Sequence, residues 1–125
     1  MDLVILPGRL SVCRLGPSAP WPAPPPGAAV YSATRTTDEL SVVCPEGHEP
    51  AGSRIEAGWR ALSVVGPLAF DLVGVLATLS TALAEAGISV FVVSTFDTDL
   101  VLVKDVDVEA ATGALEAAGH HLLPV

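Results

Sequence analysis

Gly87–Val103, GISVFVVSTFDTDLVLV, decides the fold. Two apolar runs, Ile88–Val93 and Leu100–Val103, flank the polar knot Ser94-Thr95-Phe96-Asp97-Thr98-Asp99. Both runs are rich in β-branched residues, which fit a pleated surface, so each reads as a strand and the knot as the turn between them. Runs apolar on both faces belong in the middle of a covered sheet. Two carboxylates and two threonines therefore lie at one end of a buried hairpin, with Phe96 among them. Such a place suits a small polar ligand; an ordinary solvated turn looks the same.

Upstream of the hairpin stands the clearest helical pattern. Leu72, Leu76, Leu79 and Leu83 recur at helical spacing and form one apolar stripe, with Thr78, Thr81 and Glu85 opposite. Asp71 suits the N-cap and Gly87 the left-handed residue past the end. Before the helix, Trp59–Val65 reads as a strand with Leu62 and Val64 on one face, ended by Gly66-Pro67. Downstream, Asp105 and Asp107 open a second helix, with Asp107 as the cap. Val108, Ala111, Leu115 and Ala118 form its apolar stripe; Glu109, Thr112 and Glu116 face water. Gly119 stops it, and His121–Val125 is a last short strand. The order strand, helix, strand, strand, helix, strand predicts an α+β, ferredoxin-like βαββαβ sandwich with two helices on one face of four antiparallel strands.

The first half is different. Leu3–Leu6 and Leu10–Leu15, parted by Pro7-Gly8, read as a kinked strand or a tight hairpin. Gly16–Gly27, GPSAPWPAPPPG, is too proline-rich for helix or central strand and reads as a surface connector of polyproline character. Ala28–Thr34 and Leu40–Cys44 are strand-like. Pro45–Gly58 is polar and holds at most one helical turn. Thr34-Arg35-Thr36-Thr37-Asp38 echoes Thr95-Phe96-Asp97-Thr98-Asp99 as T-x-x-T-D, each copy between strand-like runs. That is the mark of a duplicated unit whose first copy lacks its helices. Residues 1–58 are thus expected to form a reduced, mostly β unit, and residues 59–125 a complete one.

Composition narrows the function. Of 125 residues, 50% are hydrophobic and 16% charged, the balance of a globular chain. The formal net charge is -8, with only 6 Lys and Arg, so the basic footprint of a nucleic-acid binder is missing. The N-terminus has no basic region and too short an apolar run for a signal peptide. The longest apolar helical segment, Leu72–Ala86, spans roughly 22 Å, less than the ~30 Å of a bilayer core. The expectation is a soluble, cytoplasmic protein with neither nucleic-acid nor membrane partners. Cys13 and Cys44 lie in apolar runs and read as buried thiols. His48, His120 and His121 have no ligand-like spacing to them, so no metal site is expected. His120 and His121 read as cations capping a helix C-terminus. Trp21 and Trp59 read as packing residues. Nucleophile elbow, phosphate loop and catalytic triad patterns are missing.

GPL before the first helix, GIS-V-F at the following strand, STFDTD followed by L-V-L-V, and the N-terminal LPGRLSVCRL and ELSVVCPE segments carry a family resemblance. The chain resembles small tandem ACT domain proteins, related to aspartate-kinase regulatory regions and the CASTOR arginine sensors. The resemblance implies a non-catalytic regulator, without cofactor, that binds an amino acid where two ACT units meet. The other reading is a ligand-free oligomerisation module.

The ligand-binding candidates fall in three places. Gly66, Pro67, Leu68, Phe70, Asp71, Leu72 and Gly74 form the loop into the first helix, where backbone N–H groups of Leu68–Leu72 would take a carboxylate. Ile88 and Val90 open the next strand. Thr95, Phe96, Asp97, Thr98 and Asp99 are the knot, where Asp99, with Asp97, would meet a cationic group. The knot is expected at the opposite end of the sheet from the loop, so the loop of a second unit or chain would have to complete the site. The apolar faces and open edge of the hairpin predict a homodimer.

Overall fold

In chain order the elements are β1 (Asp2–Ile5), β2 (Leu10–Leu15), β3 (Ser32–Arg35), β4 (Leu40–Pro45), β5 (Arg54–Val64), α1 (Val75–Glu85), β6 (Val90–Ser94), β7 (Asp99–Lys104), α2 (Val108–Ala117) and β8 (His121–Leu122). A 3-10 turn, Asp105–Asp107, precedes α2. The structure, a computed structural model, describes residues 1–65 and 74–124. It divides into two compact units: Met1–Leu6 with Arg60–Val125, and Pro7–Trp59.

In the first of these, the hairpin of β6 and β7 forms as the alternation predicts, from Val90↔Val103 to Ser94↔Asp99. β7 also pairs with β5. β1 pairs antiparallel with β5, from Leu3↔Val64 to Ile5↔Leu62, and parallel with β8, through Asp2↔His121 and Leu3↔Leu122. The strand order is therefore β8-β1-β5-β7-β6. Without β1 it is the ferredoxin-like order. Leu62, Val64, Val101 and Val103 alternate onto one face and meet Leu79 and Leu83 of α1 and Ala111 and Leu115 of α2. Each such Leu, fully buried, contributes about 1.5–3 kcal/mol. Ala118, expected in the apolar stripe of α2, is instead exposed: it is the cap residue just past the helix end at Ala117.

β1 departs from the sequence expectation. Leu3–Leu6 and Leu10–Leu15 form no hairpin with each other; β1 packs with the C-terminal elements, where Leu3 fills the helix-side core. Two ladders, on β5 and β8, hold β1 there.

In Pro7–Trp59 the strand order is β3-β4-β2-β5, using the first half of β5. β2 pairs antiparallel with β4 and with β5. If β2 is matched to the second half of β5, and the β3–β4 hairpin to the β6–β7 hairpin, this is the same order as in the other unit. In that matching, segments 16–31 and 46–53 take the places in chain order that α1 and α2 hold in the other unit. Cys13, Leu40, Val42 and Cys44 form a small core, covered by Leu15, Ala19, Tyr31 and Ala33.

The hairpins correct the register of the repeat. Thr36 N–H donates to Glu39 O at 2.9 Å, as Thr95 N–H does to Thr98 O at 2.8 Å. Thr36 therefore matches Thr95, and Asp38 matches Asp97, two residues from the T-x-x-T-D alignment. Thr36-x-Asp38 and Thr95-x-Asp97 are the shared turn.

Three strand limits also differ from expectation. β3 begins only at Ser32. β8 is two residues long, extended by Leu123 N–H donating to Leu3 O at 2.7 Å. β5 starts at Arg54, not Trp59. Its first four residues are exposed, so no apolar alternation marks them. The β2–β5 register shifts between Leu10↔Trp59 and Val12↔Glu56, a bulge beside Gly58 at φ 83.

Candidate functional site

The knot closes as a tight turn. Besides the Thr95–Thr98 backbone bond, the Thr95 hydroxyl donates to Thr98 O at 3.0 Å and accepts Thr98 N–H at 3.2 Å. The Thr98 hydroxyl points the other way and donates to Val64 O at 2.7 Å. Val64 is the last residue of β5. The knot therefore stands at the end of β5 from which the Gly66–Gly74 segment departs.

This overturns the expectation that knot and loop lie at opposite ends. That expectation took the strand before the knot as parallel to the one after it. β6 and β7 are antiparallel. Since the start of β7 lies beside the end of β5, β5 and β6 finish together.

The proposed residues fall into three groups. Gly66, Pro67, Leu68, Phe70, Asp71 and Leu72 lie outside the described residues. Gly74 is the N-cap of α1, at φ 86, and its carbonyl accepts Thr78 N–H at 3.0 Å and the Thr78 hydroxyl at 2.7 Å. Thr95, Phe96, Asp97, Thr98 and Asp99 come together at the turn, with Phe96 81% exposed, Asp97 exposed and Asp99 half-buried. Ile88 and Val90 do not join them: Ile88 is 8% exposed and lies in the helix-side core, with its N–H on Leu83 O at 3.0 Å, and Val90 packs against that core.

Sequence reasoning missed Met1 and misread His120. Val65 N–H donates to Asp2 O and His121 N–H to Met1 O, both at 2.9 Å, which brings the start of β1 to the end of β5. The Met1 ammonium lies 3.2 Å from Nδ1 of His120. Burial first, then that ammonium, then His121 hold the His120 ring below the usual histidine range. It is 6% exposed, and its Nε2 has no partner among the described residues. The reading of His120 as a capping cation is thereby corrected: a neutral ring is what burial beside a cation favours. No local pattern marks this, because it depends on where β1 inserts.

On the outer side of α1, Gly74, Ala77, Thr78, Thr81, Ala82 and Glu85, with Ala118, line an open groove of about 490 Å³. Among the described residues no cluster of three His, Cys, Asp or Glu is placed to hold a metal ion. No helix among them is long and apolar enough to cross a membrane.

A family model described as an ACT domain matches residues 54–117, from the bulged start of β5 to the end of α2. The chain belongs to the ACT domain family. A second model, described as an N-terminal domain, matches residues 8–51 of this ACT protein. A crystal structure of an Agobacterium tumefaciens protein is similar to it at 42% identity and a TM-score of 0.89, covering 98% of this chain and 91% of the other. A Vibrio cholerae protein, described as of unknown function and a possible transport protein, is similar at 19% identity and a TM-score of 0.70, covering 94% and 88%. The regulatory subunit of aspartate kinase from Thermus thermophilus, in its ligand-free form, follows at 15% identity and a TM-score of 0.60, covering 89% and 93%. The last two likenesses are of fold. No curated protein sequence matches. The ACT fold of this chain is thus the one found in aspartate-kinase regulation, and ACT domain proteins are typically regulatory.

Proposed function

We propose that this protein is a non-catalytic, cytoplasmic ACT regulator that binds a small amino acid at the end of β5. The observation that carries this reading is the Thr98–Val64 hydrogen bond, which sets the knot beside the departure of the Gly66–Gly74 loop. One unit then offers both ends of a zwitterion site. Backbone N–H groups of Leu68–Leu72 take the carboxylate, and Asp99, with Asp97, takes the ammonium or a longer cationic group. A second ACT unit covers the site rather than completing it, so the ligand lies at an ACT–ACT interface of a homodimer. Phe96 at 81% exposure and Val65 at 45% exposure, both at this end, support such a cover. Residues 7–59 serve as the reduced, helix-free ACT-like unit, a reading supported by their matching strand order.

A melting-temperature screen of the twenty amino acids tests this. A ligand at 100 times its dissociation constant adds about 2.7 kcal/mol. If no amino acid raises the melting temperature at millimolar concentration, ligand binding is refuted and the oligomerisation module takes its place. That second reading is favoured by β6, whose Val90–Val93 is half-buried on both faces and, among the described residues, pairs only with β7. Light scattering at high micromolar concentration decides the homodimer: a monomer mass would exclude it.

A further inference from the structure

Between β2 and β3 the chain runs as a proline-rich segment, over a sheet face that in the other unit is covered by a helix. Within it, Ala19 N–H donates to Gly16 O at 3.1 Å and Ala28 N–H to Pro25 O at 3.4 Å, single turns that do not continue into a helix. Instead it is tied down by side chains at its far end. The Arg35 guanidinium, at the end of β3, donates to Pro17 O and, at 2.6 Å, to Ala19 O. Its carbon lies 4.6 Å from the centre of the Trp21 ring. Tyr31 donates to Pro22 O at 3.1 Å. Trp21, expected to be a packing residue, is 61% exposed and packs on this cation instead.

Three of these four ties converge on one guanidinium. A planar fork suits two carbonyls and a ring face together, which an ammonium cannot match. Proline has no N–H and prefers an extended backbone, so the run Pro20–Pro26 adds no ladder bonds to help hold it. Beneath lie Cys13 and Cys44, 1% and 0% exposed, with Ala19 and Tyr31 packed over their cluster.

We propose that residues 16–31 form a hinged strap latched by Arg35, and that opening the latch bares the Cys13 and Cys44 thiols while the strands beneath stay paired. The glycines Gly16 and Gly27 bound the proline run, and Gly27 holds the left-handed conformation at φ 74. Closed, the strap buries both thiols, with the Ser53 hydroxyl and the other thiol as polar neighbours of Cys13 and with Glu49 acting on both. Burial first, then the neighbouring Cys13, pushes the Cys44 thiol up to about 12, and burial raises that of Cys13 as well. Thiolate, the reactive form, is scarce until the strap lifts.

Iodoacetamide labelling of the native chain, read by mass spectrometry at each cysteine, tests the latch. The thiolate sulfur takes the carbon, iodide leaves, and the thiol proton goes to solvent. Arg35→Ala is expected to speed labelling of both cysteines by roughly ten- to hundredfold, the factor for losing a charged hydrogen bond. Arg35→Lys should behave nearly like Arg35→Ala, since charge alone does not hold the strap. In both, labelling at low urea should change little with urea, as local opening exposes little surface. Tyr31→Phe, which deletes one hydroxyl, should raise the rate less and keeps the test open if Arg35→Ala does not fold. Labelling at the wild-type rate in these variants, or labelling that climbs with urea as steeply as global unfolding, overturns the proposal.

Discussion

The Thr98 hydroxyl sits 2.7 Å from the carbonyl of Val64, tying the last residue of the β6–β7 turn to the last residue of β5. A bond between such distant positions fixes which end of the sheet the turn occupies. Thr98→Val keeps the shape and removes the donor. It should cost about 1 kcal/mol, seen as a lower urea midpoint at unchanged slope. An unchanged midpoint would mean that water replaces the hydroxyl without loss.

Asp99→Asn separates ligand binding from turn structure. The carboxylate is half-buried at the first position of β7, paired with Ser94. If it meets the cationic end of an amino acid, the change should weaken binding by about 1.5–3 kcal/mol and leave the unliganded melting temperature nearly unaltered. A lower unliganded melting temperature with intact affinity would assign Asp99 to the turn alone.

His120 gives a pH dependence of definite sign. Its ring is held below the ordinary value of 6.5, chiefly by burial, so on acidification the unfolded chain takes up this proton before the native one does. Stability from this residue is therefore complete above about pH 6.5 and declines below it, by up to about 1.4 kcal/mol per pH unit. The decline ends once the folded-state value is passed. Urea unfolding at several pH values between about 5 and 8, for wild type and His120→Gln, should show the slope in the wild type and a flatter profile in the variant. Equal slopes would place the titration elsewhere.

Gly74 holds φ 86 at the N-cap of α1, and a methyl group added there would meet no atom of the described residues within 4 Å. The cost of Gly74→Ala is therefore backbone strain alone, about 1–2 kcal/mol. Asparagine tolerates this region better, so Gly74→Asn should unfold at higher urea than Gly74→Ala. The reverse order would contradict the left-handed cap.

Leu3 is 1% exposed in the core made with α1 and α2. Leu3→Ala should cost about 2–5 kcal/mol and should increase amide exchange in β8 and the second half of β5. Faster exchange confined to β2–β4 would instead place Leu3 with residues 7–59.

What could be read from the sequence was local. Leu76, Leu79 and Leu83 carry a helical period, Val90–Val93 and Leu100–Val103 a strand pattern, and Ala111 and Leu115 a second helix; each signal lies within a dozen residues. β1 could not be placed this way, because Leu3 pairs with Val64 and Leu122, far along the chain. Arg54–Ala57 escaped notice since an exposed strand need not alternate. The knot was recognisable by its residue types, but its neighbour was not: that needed the direction of β6 relative to β7. His120 looked like any histidine after a helix until the start of β1 was placed beside it.

The position of β1 also bears on how quickly the fold can be reached. Asp2 and Leu3 lie beside His121 and Leu122, so this ladder closes a loop made of nearly the whole chain. Loop closure grows costlier with length, and folding slows as native pairs become more distant in sequence. The β6–β7 hairpin and the two helices can form from neighbours. The β1–β8 ladder cannot, and it should be a late step, with low φ-values at Leu3 and Leu122 and high ones in the hairpin. Until then β8 lacks its partner strand, and the helix-side core is open where Leu3 belongs.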